Sequence, residues 1–307
     1  MVDITAASVK ELRERTGAGM MDCKKALIES AGDAEAAADW LRAKGLAAAA
    51  KKAGRVASEG LIGIASTDTS ATVIEVNTET DFVSRNESFQ DYVKSLAELT
   101  LDYPSANALN DATYPGTAHN VAEQNSQMIA TIGENITIRR ALALTVQKGV
   151  VATYIHNSVA AGLGKIGVLV ALESEADPEK LRELGKQLAM HVAATSPMAA
   201  TVAELDPQAV ERERSVLAQQ AADSGKPPEI VEKMVEGRLR KYYEEVVLDQ
   251  QTFVIDGESK IADVIKSSAE EFGSAITLAG FARYGLGEGI EKQETDFASE
   301  VAAVAAS

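Results

Sequence analysis

The chain is poor in the side chains that most often carry covalent or metal chemistry. Its 307 residues include one cysteine, Cys23, and three histidines, His119, His156 and His191. A lone cysteine excludes an internal disulfide and is typical of proteins from a reducing compartment. No histidine stands at metal-ligand spacing from another histidine or from the cysteine. Because GxSxG and phosphate-loop sequences are missing as well, we expect neither an enzyme nor a metal site.

The sequence also has no long apolar run and no excess of basic charge. The N-terminal residues contain no apolar signal-peptide core, and no stretch approaches the length of a membrane span. The net charge of −16 disfavours direct binding to nucleic acid or to anionic lipids. Hydrophobic residues nevertheless make up 46% of the chain, enough for a buried core. We therefore expect a soluble, cytoplasmic protein that binds neither membranes nor, directly, nucleic acid.

One motif points to a cofactor, but its context argues against it. Gly162, Gly164 and Gly167 match the GxGxxG spacing of dinucleotide-binding proteins. Such a site needs a helix that begins at the third glycine, because the pyrophosphate binds at the helix N-terminus. Here the third glycine precedes "VLVALES", a pattern that predicts a strand. We interpret the motif as a hairpin turn and expect no cofactor.

Residues 1–55 predict a small domain of three helices. Apolar residues recur at helical spacing: Val9 and Leu12, then Cys23, Ala26 and Leu27. Asp22 and Asp33 are candidate N-caps, Gly32 and Gly45 are candidate helix stops, and "LAAAAKKAGR" follows as a short helical linker. This region holds ten Lys and Arg against eight Asp and Glu. The acidic excess therefore lies in the rest of the chain, and the basic head could dock on an acidic helix of a partner.

The middle of the chain predicts two related αβ subdomains, because the order strand, turn, strand, helix occurs twice. The first set comprises the runs Leu61–Ser66 and Ala71–Asn77 and a helix with Phe89, Val93 and Leu96 on one face. The second comprises "GVVATYIHN", "GKIGVLVALES" and a helix that begins near Pro178 and buries Leu181, Leu184 and Leu188. We assign residues 56–150 to one subdomain, and residues 151–195 with 249–287 to the other.

The remaining segments predict a projecting hairpin and a C-terminal helix. Residues 196–248 contain two charged helices around the breaker "SGKPP", with an apolar seam formed by Val210, Leu217, Ala221, Ile230, Met234 and Tyr242. "TFVID" and "LAGFARYGLG" predict strands that return to the core, and residues 288–307 predict a terminal helix. The predicted fold class is α+β: a helical bundle, a two-subdomain core with antiparallel sheets, a protruding antiparallel helical hairpin of coiled-coil type, and a C-terminal helix.

The tetrapeptide "ETDF" occurs twice, at Glu79–Phe82 and Glu294–Phe297. The first copy lies between a predicted strand and a predicted helix, where Asp81 and Phe82 could project and bind a partner. Alternatively, Phe82 packs into the protein's own core and Asp81 caps the next helix. The residues alone do not decide between these two interpretations. The second copy lies in a continuous helical pattern, which makes its phenylalanine a packing residue.

Six segments resemble motifs of one family, in the family's own order. They are "VKELRERTGAGMMDCKKAL", "EVNTETDFVSRN", "IGENITIRR", "IGVLVAL", "SGKPPEIVEKMVEGRLRK" and "GEGIEKQETDFASEV". Over nearly its whole length, from Val9 onward, the chain resembles the elongation factor Ts family of bacterial translation factors. The resemblance implies a guanine-nucleotide exchange factor in translation elongation. Its implied partner is the GTPase elongation factor Tu, in the GDP-bound and nucleotide-free forms.

The resemblance also implies that the N-terminal helices form a ubiquitin-associated-like bundle that docks on the partner's nucleotide-binding domain. Arg13, Met20, Met21 and Lys24 match the docking surface of the family, in line with the slight basic excess noted above. Core filling is the simpler role for a methionine. Two adjacent methionines in a glycine-rich turn cannot both face inward, however, so we expect at least one to be exposed.

The segment Thr80–Val83 resembles the family's wedge, in which Asp81 and Phe82 push between helices of the GTPase near its Mg²⁺ site. Five further positions match core contacts of the family: Ile132, Gly133 and His156 in one region, and Val254 and Ile255 toward a more distant partner domain. The loop after His156 is longer than in many relatives, so a histidine that merely flanks the hairpin is the alternative there.

Two other functions compete with nucleotide exchange. A ubiquitin-associated-like protein-binding module without exchange activity would use the N-terminal bundle alone and would not need the rest of the chain. A dinucleotide enzyme conflicts with the strand predicted after Gly167. The sequence leaves the oligomeric state open, and the hairpin is compatible with a homodimer or with a 2:2 complex with the partner.

Overall fold

The computed structural model of the protein describes residues 4–222 and 227–291. The N-terminal region consists of helices α1 (Ala6–Thr16), α2 (Met20–Glu29) and α3 (Ala34–Lys52). Their shared core contains the apolar residues predicted from helical spacing together with two residues of α3: Val9, Leu12, Cys23, Ala26, Leu27, Ala37 and Leu41. The apolar faces predicted for the first two helices are therefore confirmed.

The rest of the described chain alternates strands and helices before and after a long helical hairpin. The elements before the hairpin are β1 (Glu59–Ser66), β2 (Ser70–Thr78), α4 (Glu87–Leu99), α5 (Ala106–Asn110), α6 (Val121–Ile132), β3 (Ile136–Thr145), β4 (Gly149–His156), β5 (Leu163–Gly164), β6 (Ile166–Ser174) and α7 (Pro178–Thr195). The hairpin consists of α8 (Pro207–Ala222) and α9 (Pro228–Val246), and the chain then forms α10 (Ile261–Phe272) and β7 (Ile276–Gly285).

The strands form two antiparallel sheets. The first has the order β3–β2–β1–β5 and the second the order β4–β6–β7. This arrangement confirms the predicted α+β class with antiparallel sheets. The short strand β5, which lies in the loop after β4, pairs with β1 of the first sheet, so the two sheets are joined through this loop.

The two sheets pack face to face, and each outer face is covered by helices. Between the sheets lie side chains such as Ile62, Val73, Val151 and Leu169. The outer face of the first sheet buries Leu61, Ile74 and Val76 against α4 and α6, and the outer face of the second packs on α7 and α10. Since strand side chains alternate between faces, both faces of β1 and β2 are buried, and the burial in β2 extends to most of its polar residues.

The glycine motif belongs to this packing and not to a cofactor site. Gly162 has a left-handed backbone with φ +73°, Gly164 lies in β5, and Gly167 lies inside β6. A Cβ atom at Gly167 would come within 2.5 Å of Cγ2 of Ile62, so only glycine fits where the two sheets meet. Because the third glycine lies in a strand, the dinucleotide hypothesis is wrong, in agreement with the turn interpretation.

Two predicted helix boundaries in the N-terminal region are wrong. Asp33 does cap α3, since its carboxylate accepts hydrogen bonds from the amides of the first turn. In contrast, α2 begins at Met20 with Gly19 as its N-cap, so Asp22 lies inside the first turn. The other error concerns Gly45, which does not end α3, because the helix continues through the predicted linker.

Gly45 is instead one of the points at which the N-terminal helices contact the core. It is buried, and a Cβ atom there would lie 3.5 Å from the carbonyl oxygen of Ser126 in α6. A residue without a side chain lets two helices approach closely at that point. The tertiary contact therefore outweighs the usual preference of glycine for helix ends.

The hairpin seam is shifted from the predicted one. On α9 the buried residues are Val235 and Leu239, whereas Ile230 is exposed and Met234 is only half-buried. Burial at Ala221 agrees with the prediction, and Val210 and Tyr242 pack together at the base of the hairpin. The apolar residues of α9 lie on two neighbouring faces of the helix. The face that is buried is not the one that the sequence pattern favoured.

The predicted strand "TFVID" is also wrong. Thr252 makes one isolated bridge with Lys260, and the next residues form a turn in which the amide of Gly257 donates to the carbonyl of Phe253 at 2.8 Å. Phe253 is buried, whereas Val254 and Ile255 are exposed, which is not the alternation of a strand. The predicted terminal helix from residue 292 onward, with the second "ETDF" copy, lies outside the described residues. No helix in the described ranges is long and apolar enough to cross a bilayer.

Candidate partner-binding surface

The first "ETDF" copy lies at the end of β2 and presents one large apolar side chain to solvent. Thr80 has an extended backbone, and a short 3₁₀ helix, Asp81–Arg85, begins directly after it. Phe82 is 76% exposed, whereas the adjacent Val83 is 6% exposed and belongs to the core under the first sheet. The hydroxyl of Ser84 donates to the carbonyl of Asp81 at 2.5 Å and closes the turn. The projecting side chain therefore stands on a turn that is fixed from within.

This geometry removes the alternative role of the segment in the core. Phe82 does not pack into its own core, and Asp81 does not cap α4. The N-cap of α4 is Asn86, whose side-chain oxygen accepts the amide of Phe89 at 3.2 Å. Asp81 is exposed beside Phe82, so a carboxylate and an aromatic ring are offered together.

The segment after α6 lies against the "ETDF" segment. Ile132 is the last residue of α6, and Gly133 caps the helix with a left-handed backbone at φ +89°. The next residue, Glu134, accepts the amide of Thr80 at 2.9 Å and its hydroxyl at 2.6 Å. Two stretches that the sequence placed in separate contact regions are thus adjacent. Glu134 was missed as a site residue, although it is part of the quoted motif "IGENITIRR".

The four N-terminal candidates are all exposed on the helical bundle. Met20 and Met21 are the first two residues of α2, and both side chains are largely exposed because the buried face of this helix is formed by residues further along it. Arg13 and Lys24 are exposed as well. Two adjacent exposed methionines, with Lys24 one turn further along the same helix, are suited to protein contacts.

His156 is the last residue of β4 and is exposed. Its Nδ1 atom lies 3.0 Å from the hydroxyl of Tyr154, which stands two residues earlier on the same face of the strand. The long loop that follows is ordered by its own contacts, since Val159 donates its amide to the carbonyl of Leu163 at 2.9 Å. The imidazole is thus oriented by a neighbour on its own strand.

Val254 and Ile255 are exposed at the tip of the turn after the hairpin, and this turn is held by a buried histidine. The amide of Val254 donates to Nδ1 of His191 at 3.2 Å, so Nδ1 is the acceptor and the imidazole hydrogen is on Nε2. Nε2 lies 2.8 Å from the side-chain oxygen of Gln251, to which it donates. Gln251 in turn donates to the carbonyl of Glu245 in α9 at 2.7 Å.

His191 is held neutral by this environment. Its side chain is fully buried in α7, and burial lowers its pKa, an effect that the hydrogen bond with Gln251 partly offsets. From the sequence, this histidine was only excluded as a metal ligand and was given no other role. No local pattern signalled its role, because its two partners lie about 60 residues further along the chain.

Comparison with known proteins places these features in one family context. A family model described as Elongation factor TS matches residues 79–288, which include both the Phe82 and the Val254 regions. The chain is 63% identical over 305 residues to elongation factor Ts of Rhodospirillum rubrum, covering 99% of each chain. It is 60% identical over 306 residues to the protein of the same name from Paramagnetospirillum magneticum, covering 99% of this chain and 98% of that one.

Proposed function

The chain belongs to the elongation factor Ts family, and we propose that it is a guanine-nucleotide exchange factor for elongation factor Tu. The observation that carries the proposal is the exposed Phe82 beside the exposed Asp81, on a turn whose flanking residues are held by the body of the protein. A ring of this size buries about 150–250 Å² when it enters a partner. A carboxylate next to it can accept partner donors and set the orientation.

The proposed mechanism needs no contact with the nucleotide itself. GDP is held in GTPases largely through Mg²⁺ and the phosphate loop. A factor that binds more tightly to the GTPase conformation with a disturbed Mg²⁺ and phosphate site shifts the population toward it and accelerates GDP release. Linkage then requires that a newly bound nucleotide weaken the binding of the factor. No covalent bond is made or broken, so the factor acts without catalytic residues of its own.

Within this proposal the other exposed groups serve as docking contacts. Arg13, Met20, Met21 and Lys24 contact the nucleotide-binding domain of the partner. Ile132, Gly133 and His156 form the second contact beside the wedge, and Val254 with Ile255 reaches a more distant partner domain. The division of the chain into the predicted domains and its placement in the cytoplasm are parts of the same proposal. The oligomeric state is addressed by light scattering with and without the hairpin.

The test is release of a fluorescent GDP analogue from purified elongation factor Tu. The wild-type chain should accelerate release. The double variant Asp81→Ala with Phe82→Ala should lower the maximal rate by about tenfold or more while weakening binding by less than about threefold, because a wedge acts in the transition state for release. Met198→Ala, which truncates another exposed apolar side chain, serves as the matched control and should behave like wild type.

Three outcomes would change this interpretation. If the wild-type chain binds elongation factor Tu without accelerating release, the protein-binding module is the better description. If it neither binds nor accelerates, the proposed partner is wrong. If rate and affinity fall in proportion in the double variant, Phe82 is an anchor of the complex and not a wedge.

A further inference from the structure

Strand β2, which leads to the "ETDF" segment, and its partner β3 stay connected beyond the end of their backbone ladder. Side chains there bind backbone amides of the other strand. Thr78 of β2 pairs with Ile136 of β3 in the antiparallel ladder. The next two pairs in the same register are Glu79 with Asn135 and Thr80 with Glu134. In both pairs a carboxylate of one strand accepts a backbone amide of the other, at 2.6 Å for Asn135 and 2.9 Å for Thr80. We call this pair of contacts the carboxylate clamp.

On the Thr80 side, the clamp includes a side-chain hydroxyl as well as a backbone amide. Glu134 accepts both the amide and the hydroxyl of Thr80 with its two oxygens. Hydrogen bonds to a carboxylate are shorter and stronger than those between neutral groups. The hydroxyl of Thr78 adds a bond to the carbonyl of Thr80 at 2.9 Å. All three backbone and side-chain polar groups of Thr80 are therefore engaged immediately before the exposed residues.

The Glu79 side of the clamp reaches the end of the N-terminal region. The side chain of Asn135 donates to the carbonyl of Arg55 at 2.8 Å, and the guanidinium of Arg55 lies 3.4 Å from the carboxylate of Glu79. Arg55 follows α3 by three residues. The clamp therefore joins three parts of the chain: the end of the helical region, the end of β2, and the segment between α6 and β3.

Phe82 therefore lies between two residues that are fixed in place. Thr80 is held by Glu134 on one side, and Val83 is buried in the core on the other. A projecting ring whose base is fixed loses less conformational entropy when it enters a partner than a ring on a free loop. The register of β2 and β3 thus determines where the ring points.

We infer that Glu134 is a positioning residue for nucleotide exchange: its carboxylate holds Thr80 and thereby aims Asp81 and Phe82 at the partner. This inference rests on the proposed function and extends it to a residue that contacts the exposed pair only through Thr80. Because the carboxylate of Glu134 sets an orientation, its removal should reduce the maximal rate of exchange more than the affinity for the partner.

Four variants test the inference. Glu134→Ala removes the acceptor, and Glu134→Gln replaces one acceptor oxygen with a donor group. Thr80→Val removes the hydroxyl, whereas Thr80→Ser keeps it and should lie closer to wild type than Thr80→Val does. Glu183→Gln, at an exposed position of α7, is the control for the loss of one negative charge.

The first measurement uses the free protein and does not depend on any partner. Hydrogen exchange of the Thr80 amide, which donates to Glu134, should become faster in Glu134→Ala and Thr80→Val and should change less in Glu134→Gln, whose amide oxygen can still accept it. It should stay at the wild-type rate in Glu183→Gln and be nearer to that rate in Thr80→Ser than in Thr80→Val. Unchanged exchange in Glu134→Ala would overturn the inference, since the carboxylate would then not hold the segment.

The second measurement is GDP release from elongation factor Tu as a function of factor concentration. Glu134→Ala should lower the maximal rate by about tenfold and change the half-saturating concentration by less than about threefold, the scale expected for a lost charge-assisted bond at a site of orientation. Thr80→Val in the Glu134→Ala background should add little, because both changes break the same contact.

The outcomes separate the inference from the function on which it rests. If the wild-type chain does not accelerate release, the proposed function fails and the inference fails with it. If wild type accelerates release and Glu134→Ala does so equally well, only the inference is overturned. A fall in maximal rate in Glu134→Ala and Thr80→Val that is smaller in Thr80→Ser supports both.

Discussion

Two exposed apolar tips of the molecule are held by different chemistry. Phe82 follows a threonine whose amide and hydroxyl are bound by the carboxylate of Glu134. The tip formed by Val254 and Ile255 is bound through the amide of Val254 by the imidazole of His191. Both tips lie next to a buried apolar residue, which is Val83 in the first case and Phe253 in the second.

The difference between the two tips follows from the burial of their supports. Glu134 is only partly buried, so its carboxylate keeps part of its hydration while it accepts two bonds. His191 is fully buried. An uncompensated charge at such a position would cost roughly several kcal/mol. The deeper support is therefore a neutral network of imidazole and amide groups. The comparison predicts that the two tips respond differently to truncation, to pH and to partner binding.

The largest expected effect is a contrast between the phenylalanines at the two tips. Phe253→Ala should lower the free energy of unfolding by about 3–5 kcal/mol, because it removes a buried ring and leaves a cavity beside His191. Phe82→Ala should change it by less than about 0.5 kcal/mol, because the ring is largely exposed. Urea unfolding followed by circular dichroism measures both values.

Phe89→Ala is the matched control for this contrast, since Phe89 is fully buried under the first sheet and should behave like Phe253. A loss of stability for Phe82→Ala as large as for Phe89→Ala would mean that the ring packs into the protein in solution. The proposed wedge, which requires an exposed ring at Phe82, would then have to be abandoned.

The second contrast is in pH dependence. Burial places the pKa of His191 below its ordinary value of 6.5, so the unfolded chain binds this proton more readily than the folded chain. Stability from this group is therefore complete above pH 6.5 and falls as pH decreases through 6.5 toward the folded-state pKa. Protonation would also put a hydrogen on Nδ1, opposite the amide of Val254.

Urea midpoints between about pH 7.5 and pH 5.5 test this prediction, since that window spans the ordinary histidine pKa. The midpoint of the wild-type protein should fall on acidification. His191→Asn keeps an acceptor for Val254 but cannot titrate, so its midpoint should depend less on pH, even if it starts lower. The control His156→Asn replaces an exposed histidine and should keep the wild-type dependence. Equal pH dependence in wild type and His191→Asn would refute the role assigned to the imidazole.

Features that depend on neighbours in sequence could be predicted from the residues alone. The cap at Asp33, the proline at the first turn of α7 and the buried face of α4 were all predicted from local spacing, and the structure has them. The order strand, turn, strand, helix at the start of each half of the core followed from the same patterns, whereas helix α10 was not predicted. Local rules succeed here because capping bonds and apolar periodicity involve residues within one or two turns of each other.

Features set by tertiary register could not be predicted in this way. Gly45 resembles a helix stop until α6 is placed against it. Glu75 is fully buried in β2 because Arg139 and Arg140, more than 60 residues later, both bind its carboxylate. Exposure of Phe82 and its link to Glu134 depend on the register of β2 with β3 over 54 residues. The sequence identified the exposed segment as a candidate, but not the residue that holds it.

The smallest expected effect concerns the tip formed by Val254 and Ile255. It compares the two tips by their contributions to partner binding and to GDP release. Val254 and Ile255 are each about half exposed, so truncating both to alanine should leave the free energy of unfolding within about 1 kcal/mol of wild type. If this tip is a docking contact, losing part of its apolar area should weaken binding to elongation factor Tu by about fivefold, or about 1 kcal/mol.

The measurement is calorimetric titration of nucleotide-free elongation factor Tu, with GDP release followed in parallel at saturating factor. The double variant Val254→Ala with Ile255→Ala should lose affinity but keep the maximal release rate, because a distant docking contact stabilises the complex before and after release alike. Phe82→Ala should lower the maximal release rate by a larger factor than it lowers the affinity. Since the two tips differ in this way only if one is a wedge and the other an anchor, a fall in maximal rate for both variants would erase the distinction. Unchanged affinity in the double variant would remove Val254 and Ile255 from the partner-binding surface.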